Sequence, residues 1–418
     1  MILVAIAMLS LMGLANYWIG KRFLYPPVVF CAVWAADLAL VRLAGNFFYP
    51  MADETLAIFC LGALAVSIGG GIALLVPIGP VSDQPMGKYS NRILNLLLLV
   101  VVCAAPFVVV WIVDLASNFE SATLLVSVSR AILEADEAQD PSWSLFGNVM
   151  TLALIVAMIA YLQRGEGKKR AFLAIAVALL LIIAGAGRSG IVILLLSFVC
   201  LSSIRTTGIP WKALIGIFLS LVIIAGAMAI AIEKGEARSD APLAENLVPV
   251  FQGFVLYAAG GLVAFDRVVR QPSIIPHNWQ ITTPLLLVAN KLGAHFDVPF
   301  QHSEFVDVGP QGLDQNVYTM YFAYFDLGRA GMMLAIAFMG FVVTTSYRLA
   351  IAGSKLSTII YSYFFGALLL SPFSDLFFMG LNFSVKLFIV AWLVFRLPDT
   401  LIKLRSFSPR WKSLQLRG

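Results

Sequence analysis

The chain has 418 residues, 60% of them hydrophobic and only 12% charged, with a formal net charge of +5 and a mean hydropathy of +0.91. Soluble domains sit near half apolar and a quarter charged, so this composition excludes an ordinary water-soluble fold and indicates a membrane protein. The basic surplus does not indicate nucleic acid, because most basic residues flank apolar runs, where topology signals lie.

A helix needs about 20 apolar residues to cross a bilayer. The opening run, MILVAIAMLSLMGLANYWIG, has no basic residue before it and is followed by Lys21 and Arg22. A cleavable signal peptide has its charge first, so this run reads as a retained helix with its N-terminus outside. Spans are expected near 2–19, 26–44, 55–77, 92–113, 145–163, 171–185, 189–204, 212–232, 330–348, 357–378 and 384–397, eleven in all. The sixth and seventh are short and meet at Ala-Gly-Ala-Gly187-Arg188-Ser-Gly190, so that pair reads as tilted, partly re-entrant or a helical hairpin. The four cysteines (Cys31, Cys60, Cys103 and Cys200) all lie in apolar runs, with no metal spacing and no disulfide framework.

Charge supports this layout. With the N-terminus outside, the inside segments hold Lys21, Arg22, Lys88, Arg92, Arg164, Lys168, Lys169, Arg170, Arg205, Lys212, Arg348 and Lys355. With the six basic residues from Arg396 onward, that is eighteen of 28, against three of 23 acids (Asp83, Glu166, Asp399). The expected organisation is therefore eight spans in 1–232, with an acidic outer segment at 114–144. A large outer loop with interfacial helices follows at 233–329, then three spans in 330–397 and a basic inner tail at 398–418. The stretch LVPVFQGFVLYAAGGLVAF within the loop is about span length and reads as interfacial or re-entrant. Long structured loops usually carry function, and this one holds all three histidines (His277, His295 and His302).

Arg188 is the sharpest single residue. A charge at membrane depth suggests function, the glycines beside it let backbone approach a ligand, and the helix that follows offers free N–H groups. Together these suit a diphosphate, which a guanidinium binds in a bidentate way. In the loop, Arg267 and Arg270 lie three apart, on one face of a helix, and Arg329 stands where the chain re-enters the membrane. All three are candidate clamps for a sugar-linked diphosphate. A sugar hydroxyl attacking an anomeric carbon must lose a proton. His302, Glu304 and Asp314 are candidate acceptors, with Asp297 and Asp307 nearby. Asn316, Tyr318 and Tyr324, in the aromatic stretch before the ninth span, are candidate sugar contacts. Asp326, Gly187, Gly190 and Gly328 read as structural or pairing residues, as do Asp37 and Asp375. Walker A, Rossmann and HExxH patterns are absent, so neither a metal nor a cofactor is implied.

The turn at Gly187-Arg188-Ser189-Gly190, the run Asn316-Val-Tyr318-Thr319 through Asp326-Leu-Gly328 and Gly331, and the late outer loop together resemble Wzy-type O-antigen polymerases. O-antigen ligases share that plan. The resemblance implies an all-α polytopic protein of the GT-C-like class in the bacterial inner membrane, with its N-terminus periplasmic and its C-terminus cytoplasmic. It implies a metal-independent, inverting glycosyltransferase of lipopolysaccharide biosynthesis. The donor would be a growing glycan on undecaprenyl diphosphate and the acceptor a lipid-linked repeat unit. A chain-length regulator would be the partner protein, with membrane lipid around the bundle and no nucleic acid. The alternatives are a ligase acting on lipid A-core, a non-enzymatic transporter of lipid-linked oligosaccharide, and a structural component of a larger assembly.

Overall fold

The computed structural model describes residues 1–79, 88–118, 127–128, 131, 141–185, 188–204, 215–216, 243–272, 280–298, 305–310, 312–317 and 319–397. Among them the architecture is helical, with one two-stranded hairpin. Among the described residues six helices are long and apolar enough to cross a membrane: Ile2–Gly20, Pro26–Leu43, Asp53–Leu75, Tyr89–Ser117, Leu145–Leu162 and Gly328–Ile351. Their flanks expose large apolar side chains, including Leu3, Trp18, Leu61, Phe107 and Leu334. A soluble surface does not tolerate such patches, whereas lipid does. This is an all-α membrane protein.

We number the helices α1 (Ile2–Gly20), α2 (Pro26–Leu43), α3 (Asp53–Leu75), α4 (Lys88–Ser117), α5 (Pro141–Leu162), α6 (Lys168–Ala184), α7 (Arg188–Ser203), α8 (Leu243–Arg270), α9 (Thr283–Lys291), α10 (Met320–Phe325), α11 (Gly328–Ile351), α12 (Lys355–Leu369) and α13 (Leu381–Phe395). Strands β1 (Phe305–Gly309) and β2 (Leu313–Asn316) form the hairpin. The chain divides into two compact units. The first is Met1–Gly79, Leu195–Ile351 and Tyr361–Asn382; the second is Pro80–Leu194, Ala352–Ile360 and Phe383–Gly418.

In the first unit α1 and α2 form a hairpin of helices. Lys21 ends α1 in the left-handed conformation, with φ 51°, and Pro26 and Pro27 start α2, where a missing N–H costs nothing. α3 and α11 lie side by side and run in the same direction. Arg329 pairs with Glu54 at one end, and Arg348 donates to Val76 O (2.8 Å) at the other. Glycines set their separation. A Cβ on Gly69 would meet Phe341 N at 2.8 Å, and one on Gly340 would meet Val66 Cα at 2.9 Å. Small residues let helix backbones touch in lipid, where burial of apolar surface gives little drive.

An aromatic cluster locks α2, α3, α8 and α10 together. Trp34 lies 4.8 Å from Phe59 and 4.7 Å, edge on, from Tyr321, and Phe59 lies 5.9 Å from Phe265. Trp34 Nε1 donates to Ser371 Oγ (2.9 Å) and the Tyr321 hydroxyl to Phe59 O (3.2 Å), so the polar edges of both rings are satisfied.

One element differs from the sequence expectation, and another is defined more closely. α8 is continuous over 28 residues, and Ala258, Ala259, Leu262, Val263, Ala264 and Phe265 on it are buried. The stretch expected to be interfacial or re-entrant is thus one continuous helix in the core of the first unit. The tenth expected span, 357–378, is helical only to Leu369. Pro372 lacks an N–H and disfavours a helical residue before it, so the helix stops there. Asp375 then gathers the backbone N–H groups of Phe377 (2.9 Å), Phe378 (3.1 Å) and Met379 (3.0 Å). The eighth expected span, 212–232, lies outside the described residues except for 215–216, as do most of 114–144 and all of 398–418.

Candidate functional site

The short connector between α2 and α3, residues 44–52, gathers the candidate residues of the late loop. Tyr49 N donates to Val308 O (2.9 Å), which adds the connector to the edge of β1. The Tyr49 hydroxyl donates to Asp307 Oδ2 (3.1 Å), while Asp307 Oδ1 accepts from Gly309 N (3.2 Å) in an Asx-type turn. The Arg267 guanidinium lies 5.3 Å from the centre of the Tyr49 ring, within cation–π range. Asp307 therefore faces a phenol that also carries a cation on its face. The Asp307 carboxylate, hydrogen-bonded to that phenol, raises the Tyr49 pKa above its ordinary value, and Arg267 opposes the shift.

One helical turn further on, Arg270 reaches Asp266 (2.8 Å) and also donates to Pro50 O. Asp266 has no exposed surface and accepts from Ala52 N (2.8 Å). Ala52 is the N-cap residue of α3 and contributes no side-chain cap. Asp266 thus caps α3 from a different helix, placing negative charge at its positive end. Arg329, at the start of α11, pairs with Glu54 in the first turn of α3. Arg267, Arg270 and Arg329, expected from sequence as clamp residues, all engage the short stretch Tyr49–Glu54.

The hairpin brings carboxylates to the same place. Asp307 and Asp314 are register partners, so both side chains leave one face of the ribbon. Like charges opposite each other repel. Asp307 is held by Tyr49, while Asp314 is exposed and forms no ion pair among the described residues. Gln315 Nε2 donates to Leu256 O (3.1 Å) and packs over Gly260, which fixes the hairpin on α8. A glycine at 309 is required, because the Phe47 carbonyl occupies the place of its Cβ.

The other sequence candidates fall elsewhere. Arg188 is the first residue of α7, and α6 ends four residues earlier at Ala184. Gly190 packs on α6, where a Cβ would meet Ile182 Cγ2 at 3.2 Å. Asn316 is buried, and its Oδ1 has no partner among the described residues. Tyr324 is fully buried, with its hydroxyl beside Asp375. Asp326 is the C-cap of α10, and Gly328 takes φ +68° where α11 starts. Asp37 lies in α2, with Oδ2 buried and unpartnered among the described residues. Asp297 and His295 are exposed beyond α9. His277, His302, Glu304, Gly187 and Tyr318 lie outside the described residues.

Sequence reasoning missed Tyr49 and Asp266. The i,i+4 spacing of Asp266 and Arg270 was a usable signal. Tyr49 sits in an aromatic-rich connector that interface preference alone explains. No family model, no curated protein and no solved structure matches this chain.

Proposed function

We propose that the protein polymerises lipid-linked oligosaccharide repeats outside the membrane, as the resemblance to Wzy-type enzymes implies. One observation carries this reading. The arginines suited to a diphosphate (Arg267, Arg270, Arg329) and the carboxylates suited to a proton (Asp307, Asp314) meet at one connector, Tyr49–Glu54. In the proposed reaction a guanidinium holds the donor diphosphate and offsets charge that develops as it leaves. A base then takes the proton of the acceptor hydroxyl, with Asp314 and His302 as the candidates. Arg267 serves the diphosphate best of the three loop arginines, because Arg270 and Arg329 are already ion-paired. Arg188, in the second unit, is proposed as a diphosphate cation on the resemblance alone. The long apolar helices would hold both lipid tails, so the reacting ends meet already oriented.

The test is polymerisation of purified lipid-linked repeats by the purified protein. Wild type is expected to lengthen them without added metal or nucleotide. Arg188→Ala and Arg267→Ala are each expected to slow the reaction by about 100-fold. A folded Arg188→Ala, Arg267→Ala double variant with full activity would sink the assignment. In cells, a deletion that leaves single repeats on the lipid core marks a polymerase, and loss of every repeat from the core marks a ligase.

A further inference from the structure

In the second unit, the turn between α5 and α6 places like charge on like. α6 opens with Lys168, Lys169 and Arg170. Its N-cap is Gly167, no side chain caps it, and no acid stands in its first turn. The first N–H groups of a helix lack partners and carry partial positive charge, so cations there are repelled and an anion is favoured.

Two further observations point to the same missing group. The Arg170 guanidinium is held by neutral amides: Nη1 donates to Asn91 Oδ1 (2.7 Å) and Asn95 Oδ1 (3.3 Å), and Nη2 to Gln163 Oε1 (3.3 Å). No carboxylate of a described residue forms an ion pair with it. Glu166, four residues before it, is exposed and instead accepts from Asn91 Nδ2 (3.4 Å). Two donors in this cluster also lack acceptors. Gln163 is only 5% exposed and its Nε2 is unpartnered, as is the buried Nε of Arg170. Flipping the Gln163 amide would not cure this, because its oxygen is committed to the guanidinium. A part-buried cation with neutral partners and two orphaned N–H donors is short of one oxygen-rich anion. Gly167 lies against the guanidinium, since a Cβ there would stand 3.5 Å from Arg170 Nε, at van der Waals distance.

We propose that this turn binds the phosphate of an anionic lipid headgroup. Arg170 anchors the phosphate, the N-terminus of α6 faces it, and the exposed Lys168, Lys169, Arg164 and Arg92 surround it. Lipid is the favoured source of that phosphate. Phe172 and Leu173 just along α6, and Leu96, Leu99 and Val100 on α4, expose apolar side chains where acyl chains would lie. The proposal does not depend on the polymerase reading.

The test titrates the full-length protein in neutral detergent with phosphatidylglycerol, phosphatidylcholine or inorganic phosphate, read by native mass spectrometry. Phosphatidylglycerol is expected to bind at least about tenfold tighter than phosphatidylcholine. Lys168→Ala combined with Lys169→Ala, both on exposed side chains, is expected to remove that preference. Gln163→Glu supplies a carboxylate to Arg170, so it is expected to remove the preference while raising the melting temperature. Equal binding of the two lipids, or a preference that survives in both variants, overturns the proposal. Inorganic phosphate binding as tightly as phosphatidylglycerol overturns its assignment to lipid.

Discussion

Tyr49 joins the two charges that matter most at the candidate site, with Asp307 at its hydroxyl and Arg267 over its ring. Since the folded phenol titrates above its unfolded value, this hydrogen bond is present through neutral pH. It is lost as alkaline pH rises through the raised pKa. Tyr49→Phe should therefore lose alkaline sensitivity at the hairpin, read as hydrogen exchange at Gly309 and Tyr49. Asp266 offers a sharper stability test. Asp266→Ala removes the cap of α3 and strands part of the Arg270 charge, an expected loss of about 1–3 kcal/mol in thermal unfolding. Asp266→Asn keeps an acceptor for Ala52 N and should lose less. The arginine pair was legible in the sequence because helical spacing puts Arg267 and Arg270 near one face. Their partners were not, since a backbone N–H such as Ala52 N leaves no trace in residue type.

At the scale of elements, the closest packing is between α3 and α11. A side chain at Gly69 or Gly340 has no space, because backbone atoms of the facing helix already fill it. Gly69→Leu should force the helices apart and cost about 1–3 kcal/mol or more, seen as a lower melting temperature. Gly71, with open space at its Cβ position, is the control and should accept alanine without loss. Helices that face lipid on one side were easy to place, since α1, α2, α3 and α11 match their expected spans within a few residues. α8 was harder. Charges flank its apolar stretch and a proline and three glycines interrupt it, so only its burial among α2, α3 and the hairpin identifies it as core. The early stop of α12 was legible at Pro372 but hidden by continuous hydropathy around it.

For the whole molecule, the shared direction of α3 and α11 is what strict alternation of spans would require between the third and ninth. Single cysteines placed at Asp297 and Lys355 in a cysteine-free background should then react with an impermeant maleimide from opposite sides of the membrane. Labelling of both from one side would remove the proposed topology and the outer site with it. Composition and charge made the membrane class legible, because solvation in lipid constrains every residue of a span. Chemistry was less legible. The candidate groups are few, and they owe their meeting to contacts such as Tyr49 with Asp307, across 258 residues of chain.

The pairing of α3 with α11 also bears on how the protein is made. Glu54 and Arg329 are separated by 275 residues, so at about 5–20 residues per second the early helix waits roughly 15–55 s for its partner to be synthesised. During that interval its glycine-lined groove faces lipid or an insertion factor. A ribosome stalled before α11 would leave that groove uncovered.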